Sequence, residues 1–293
     1  MNTIFPLFFA SFVTLLMIIL LRPFAERINL LDIPTSRKEH KGSIPLIGGI
    51  AMFVGIALTA LLFSQNLNNL YYYLIASAII VFIGALDDYR NLSVLIRMLF
   101  QVLVAIIIVY GGGISIESFG YLFGNNEFFL NEWANLISVL AIISGMNAVN
   151  MGDGIHGLAG GNSFITFLAI LYMSLNIALN ESLLITLLFC SVLPVFLINN
   201  LCIGISTKNR IFMGDAGSMF IGLSISWVLI ELSQGEARAF SPVTVLWLFA
   251  IPIIDLVTAI FRRLLSRKSP FEPDLFHLHN LLIKLGLAVF HWL

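Results

Sequence analysis

Charge is what this chain has least of: 11% of its 293 residues are Asp, Glu, Lys or Arg, against roughly 25% in a soluble domain. That shortage, with 59% hydrophobic residues and a mean hydropathy of +0.99, excludes a soluble globular fold and leaves an integral membrane protein. A net charge of −1 offers no basic surface, so nucleic acid is not an expected partner. The two cysteines, Cys190 and Cys202, stand in apolar surroundings, which excludes a disulfide framework. No Lys or Arg precedes the first apolar run and a basic segment follows it, the reverse of a secretory signal peptide. There is neither an internal repeat nor a low-complexity segment.

What remains is a series of apolar runs, and about 20 such residues span a bilayer as a helix. They lie at Ile4–Leu21, Ile44–Phe63, Leu70–Leu86, Leu92–Tyr110, Ala134–Val149, Leu158–Leu179, Leu183–Ile205, Ile211–Ile230 and Pro242–Phe261, with a tenth starting near Leu281. The expected fold is an all-α polytopic membrane protein of nine to ten transmembrane helices, one domain over residues 1–293. With the N-terminus outside, every Lys and Arg except Arg238 falls on the cytoplasmic side, Arg97 and Lys284 being counted with their adjacent linkers. Arg97 lies inside the fourth run and can snorkel to the interface. The outer linkers carry Glu117, Glu127, Glu132, Glu181, Glu231 and Glu236, and no histidine.

The polar groups suited to chemistry therefore converge on the cytoplasmic face. Between the fifth and sixth runs stands Asn147-Ala-Val-Asn150-Met-Gly-Asp153-Gly154-Ile-His156-Gly. If helical, its three-residue spacing stacks Asn150, Asp153 and His156 on one face. The bland reading is a glycine-rich turn; an amide, a carboxylate and an imidazole together favour a metal or nucleotide site. Asp87-Asp88 closes the third run, and adjacent residues on a helix point about 100° apart, so the two need not share a job. Asp215 opens the eighth run, where capping of a helix N-terminus is the structural alternative. Carboxylates at 87, 88, 153 and 215 on one face would repel one another, which makes a bound Mg²⁺, or Mn²⁺ in its place, the natural neutraliser. Asp255, inside the ninth run, should face other helices or the site.

Basic groups flank these acids. Arg262 and Arg263 begin a cluster beside the membrane, where a lipid phosphate would lie. Anchoring of the cytoplasmic side is the second reading of that cluster. Arg37-Lys38-Glu39-His40-Lys41 has the same two readings. His277 and His279 could ligate zinc in principle, but no cysteine is near them to complete a zinc set, so phosphate donors are preferred.

Six segments carry a resemblance. They are His40-Lys41-Gly-Ser-Ile-Pro45-Leu-Ile-Gly48-Gly49, Leu86-Asp87-Asp88, Asn147-Ala-Val-Asn150-Met-Gly-Asp153-Gly154, Phe212-Met-Gly-Asp215-Ala-Gly-Ser218, Ser241-Pro-Val-Thr-Val-Leu-Trp247 and Ser269-Pro-Phe-Glu-Pro273-Asp274. In this order they resemble the polyprenyl-phosphate N-acetylhexosamine-1-phosphate transferase superfamily over almost the whole chain.

The resemblance implies a multi-pass enzyme of the bacterial inner membrane with its active site facing the cytoplasm. It would transfer N-acetylglucosamine 1-phosphate from the UDP-sugar to undecaprenyl phosphate, release UMP and begin O-antigen or enterobacterial common antigen-type glycans. Another UDP-N-acetylhexosamine, or an inactive homologue, is the alternative within the family, and a homo-oligomer is left open. Asp215 would be the main Mg²⁺ ligand, with Asn150 a second, and Asp87 or Asp88 would activate or position the lipid phosphate. Asn200 and Phe212 align with uridine-pocket positions, and His277 and His279 with a histidine motif near the pyrophosphate.

The chain departs from the family pattern in three places. His156 replaces a second Asp, Asn280 replaces the last residue of His-x-His-His, and the carboxyl end lacks one or two expected spans. A different class, an ion- or proton-coupled carrier, would instead need acids lining a path across the bilayer.

Overall fold

The computed structural model describes residues 4–33, 42–64, 68–122, 124, 126–178 and 180–269. The apolar runs form helices. Helix α1 (Ile4–Ile28) is followed by an antiparallel pairing of β1 (Leu31–Asp32) with β2 (Ile44–Pro45). Then come α2 (Gly48–Phe63), α3 (Asn68–Arg90) and α4 (Val94–Ile106), which widens into a π-helical turn over Ile107–Gly111. After a long connection follow α5 (Ala134–Gly152), α6 (Leu158–Met173), α7 (Glu181–Leu201), α8 (Gly214–Ser233), α9 (Pro242–Leu248) and α10 (Ala250–Leu265). Polar caps mark two of the starts: the Ser93 hydroxyl accepts the Ile96 N–H before α4, and Asn180 Oδ1 accepts the Leu183 N–H before α7.

Among the described residues six helices are long and apolar enough to cross a membrane, or seven if α9 and α10 count as one broken span. Helices α2 and α6 have 16 residues each; at 1.5 Å per residue they reach about 24 Å against a hydrocarbon core of about 30 Å. The ninth apolar run, expected as one continuous span, is instead bent by 81° between α9 and α10. Pro252 explains the break, since it has no N–H to give the Leu248 carbonyl four residues earlier. Thr166 Oγ1 of α6 donates to that freed oxygen at 3.2 Å. The run expected near Leu281 lies outside the described residues.

Helix α8 is the axis of the bundle. In its apolar window 94% of residues are buried, against 28% for α1. Small residues permit this enclosure. A methyl group on Gly49 of α2 would collide with the backbone of Gly217, one on Gly84 of α3 with Ala216, and one on Gly145 of α5 with Ser226. Backbones that approach so closely gain dispersion contacts that lipid tails cannot supply. Farther along, the Tyr73 hydroxyl and Ser224 Oγ share a hydrogen bond of 2.7 Å.

At the end of α8 away from the acids, Gln234 ties in the α4–α5 connection. Its Oε1 accepts the Glu117 and Ser118 N–H groups at 3.0 Å each. Arg238 pairs with Glu127 there at 2.7 Å.

Candidate active site

At the other end, four helix termini bring the acids together. Asp87 and Asp88 are in the last turn of α3, Asn150 in the last turn of α5, Asp215 in the first turn of α8 and Arg97 in the first turn of α4. Asp87 is 5% exposed. Its Oδ1 accepts the Leu92 N–H at 2.7 Å and its Oδ2 accepts Arg97 Nη1 at 2.8 Å. The same Nη1 lies 3.6 Å from Asp215 Oδ2. Asn150 Nδ2 donates to Asp215 Oδ1 at 2.7 Å and to Ser218 Oγ at 2.9 Å.

Asp88 has different partners. Its two oxygens accept the N–H groups of Asp215 (2.9 Å) and Ala216 (3.3 Å), so a carboxylate from α3 caps α8. Gly214 turns the chain into that helix with φ +71°, and any side chain there would strike the Asp88 carboxylate. Capping was the structural alternative for Asp215; the structure gives that job to Asp88 and leaves Asp215 with a side chain 34% exposed.

The expected stacking of Asn150, Asp153 and His156 on one helical face is not formed. Helix α5 stops at Gly152, Asp153 leaves the helical region at φ −85°, ψ 51°, and a turn carries the chain to Gly157. Glycines at 152, 154 and 157 weaken helix continuation there. Asp153 and Gly154 are exposed on this turn, and the His156 ring lies 4.8 Å from that of Phe212, tilted by 34°.

Phe212 is held by the segment before α2. Its N–H donates to the Pro45 carbonyl at 2.9 Å, and its own carbonyl accepts the Gly48 N–H at 2.9 Å. Asn200, 4% exposed, braces this wall: Oδ1 accepts the Gly157 N–H at 2.7 Å and Nδ2 donates to the Ile211 carbonyl at 2.8 Å. Arg22 from α1 clamps the connection leading to Phe212, donating to the Lys208 and Arg210 carbonyls (3.1 and 2.8 Å) and to Asn209 Oδ1 (2.6 Å).

Of the remaining expected residues, Arg263 is buried and Arg262 half-buried in the last turn of α10, which packs on α5. His40, Lys41, His277 and His279 lie outside the described residues. Arg97, read from sequence as an interface anchor, is the cation of the acid cluster. The signal was available, because a base inside a membrane span is a functional candidate by default. Arg22 carried no comparable signal, and Ser218 stood in a family-like segment without a role of its own.

Among the described residues no group of three or more His, Cys, Asp or Glu side chains is arranged to hold a metal ion. The chemistry of the donors still fits Mg²⁺ at one point, since that ion needs only one or two carboxylates when substrate phosphates and water complete its shell. Within the cluster, Asp215 is the carboxylate whose side chain is exposed enough to meet such an ion. Asp87 and Asp88 already accept from Arg97 and backbone N–H groups. Asn150 presents its amide nitrogen to Asp215, so ligation through its oxygen would require the amide to turn over.

Helical spans packed around a buried axis, with acids and an arginine gathered at the helix termini of one end, define a polytopic membrane protein with a charged polar cluster at that end. The chain belongs to glycosyl transferase family 4, whose profile matches residues 70–233. It is similar to the undecaprenyl-phosphate alpha-N-acetylglucosaminyl 1-phosphate transferase of Escherichia coli (strain K12), 37% identical over 276 residues that cover 94% of this chain and 75% of that protein. The protein of the same name from Haemophilus influenzae is 40% identical over 289 residues, 98% of this chain and 80% of its own. That from Yersinia pestis is 38% identical over 270 residues, 91% and 73% respectively.

Proposed function

We propose that this protein transfers N-acetylglucosamine 1-phosphate from UDP-N-acetylglucosamine to undecaprenyl phosphate, releasing UMP. The observation that carries the reading is the Arg97–Asp215–Asn150 centre, formed inside the region that matches the family. In the reaction an oxygen of the lipid phosphate attacks the sugar-bearing phosphorus. The bond from that phosphorus to the UMP oxygen breaks, and the electron pair leaves with UMP. A lipid phosphate is already ionised near neutral pH, so the protein's work is positioning and charge neutralisation.

In this reading Asp215 holds a divalent cation, Mg²⁺ or Mn²⁺, with Asn150 beside it. That ion, when bound, offsets charge on the transferring phosphates. Arg97 is the protein's own cation at the same place, and through Asp87 it is oriented toward the reacting phosphate. Asp87 acts as a positioning group and Asp88 as the joint that aims α8.

Asp153, Gly154, His156 and Phe212 form the nucleotide side, with Asn200 bracing it. The neutral imidazole both donates and accepts, which suits the N–H and carbonyl groups of uracil. Arg262 and Arg263 suit the lipid headgroup, and His40, Lys41, His277 and His279 are assigned to the phosphates by family resemblance.

The distribution of Lys and Arg supports nine crossings, an outer N-terminus and a site open to the cytoplasm of a bacterial inner membrane. The short helices α2 and α6 would complete that count by lying within locally thinned bilayer.

The test is UMP release by the purified protein with undecaprenyl phosphate and either UDP-N-acetylglucosamine or UDP-N-acetylgalactosamine. Release that requires the lipid and prefers the first sugar is expected. No release with either sugar overturns the function, and preference for the second reassigns the substrate.

A further inference from the structure

One turn deeper into the bundle, a second polar layer repeats the helices of the first. Arg97, Asn150 and Asp215 stand on α4, α5 and α8; Gln101, Asn147 and Met219 lie on the same three helices. Offsets of three or four residues put each of the second set on the same helical face as its counterpart, one turn farther from the helix end. Asn147 Nδ2 donates to Gln101 Oε1 at 2.8 Å and to the Ile143 carbonyl at 2.8 Å. Gln101, 2% exposed, turns its Nε2 toward Met219 Sδ at 3.3 Å. Neither amide touches a group that the transfer reaction uses.

Helix α4 needs something of this kind. Only 28% of its apolar window is buried, and Leu95, Leu99, Leu103 and Ile106 face outward. Lipid tails are as apolar as these side chains, so they do not resist a slide of α4 along its neighbours. Arg97 reaches Asp87 on a long side chain that could follow such a slide. A hydrogen bond between two short amides is directional and is met at one register only.

We propose that the Gln101–Asn147 pair is a positioning device that fixes the axial register of α4 against α5, and so holds Arg97 and Asn150 on either side of Asp215. The inference rests on the reading of that centre as the site of transfer. Both residues are positioning residues, acting through Arg97 and Asn150.

The test compares Gln101→Leu, Asn147→Leu, the double variant, and the reciprocal exchange Gln101→Asn with Asn147→Gln. Asn147→Leu strands the buried Gln101 amide and Gln101→Leu takes one partner from the half-buried Asn147 amide, so each should lower both the melting temperature and kcat. In the double variant both partners become apolar, which is nearly neutral for stability, so the melting temperature should recover. Its kcat should stay about 10- to 100-fold below native, the effect of a displacement near 1 Å at a reacting centre, while KM for UDP-N-acetylglucosamine stays within about twofold. The reciprocal exchange keeps two amides of the same combined length and should regain kcat over either single variant.

Register is read independently of activity by spin labels at the lipid-facing positions Leu99 and Leu140, in a background lacking Cys190 and Cys202. The distance distribution should broaden in the double variant. A double variant with native kcat, an exchange no more active than the singles, or an unchanged distance distribution overturns the proposal. If the native protein releases no UMP, the functional reading fails, and the spin-label distances still decide whether the pair sets register.

Discussion

Replacing Asp88 with Asn should loosen the joint between α3 and α8 without touching the Asp215 carboxylate. Asp88 accepts two N–H groups at the start of α8, at 2.9 and 3.3 Å. Asn offers one acceptor oxygen and turns an NH₂ toward the other donor. The loss is one hydrogen bond to a charged acceptor, about 1.5–3 kcal/mol, together with a favourable charge at the helix terminus, about 0.3–1 kcal/mol. At roughly 2–4 °C per kcal/mol for a chain of this size, the unfolding midpoint should fall by about 5–15 °C. Thermal unfolding in detergent measures it, with Asp215→Asn as the comparison. Asp215 caps no helix, and Asn in its place can still accept from Asn150 through its one oxygen, so its neutralisation should lower the midpoint by less than Asp88→Asn does. The reasoning is refuted if Asp88→Asn melts within about a degree of native, or if Asp215→Asn is the less stable of the two.

Other outcomes follow from the same contacts. Asp215→Asn should retain the fold and lose divalent-cation-dependent UMP release; normal turnover would remove Asp215 from the reaction. Arg97→Met leaves Asp87 buried without its partner and should cost about 2 kcal/mol, less than a fully buried pair because the Arg97 side chain is 28% exposed. Arg97→Lys should restore stability in part, as thermal unfolding will report. Gly49→Ala should destabilise by about 1–3 kcal/mol by forcing α2 away from Gly217, whereas Gly152→Ala, with open space around it, should be neutral by the same measurement. Arg22→Gln should raise KM for UDP-N-acetylglucosamine and hold kcat within about twofold, since Arg22 secures the connection that carries Phe212; steady-state kinetics separates the two.

Much of this arrangement was legible in the sequence because hydropathy marks helices and basic residues mark their ends. Those grounds group Asp87, Asp88, Asn150, Asp153 and Asp215 at one membrane face; the structure bonds the first, third and last through Arg97 and the Asp215 carboxylate, and sets Asp153 on an exposed turn. Their separate tasks were not legible, because a cap is defined by its partner and the N–H groups that Asp88 accepts lie 127 and 128 residues away. The roles of Arg22, Gln101 and Asn147 depend on contacts between distant helices, so local sequence could not reveal them. A helical period misled at 150–156, where spacing suggested a shared face and three glycines ended the helix first. The bend between α9 and α10 had a visible cause in Pro252, yet hydropathy over Pro242–Phe261 reads through a proline without registering it.

The seclusion of α8 bears on how the protein is made. Its mean hydropathy is 1.5 against 2.7 for α1, and it carries Ser218, Ser224, Ser226 and Ser233, all buried. Such a segment gains less from lipid than α1 does, so its favourable environment is the one that helices α2, α3, α5 and α7, all made before it, supply. Asp215 arrives on that segment. The two α3 acids and Arg97 therefore precede in the chain the residue that completes the cluster, and α10, which packs on α5, is made after it.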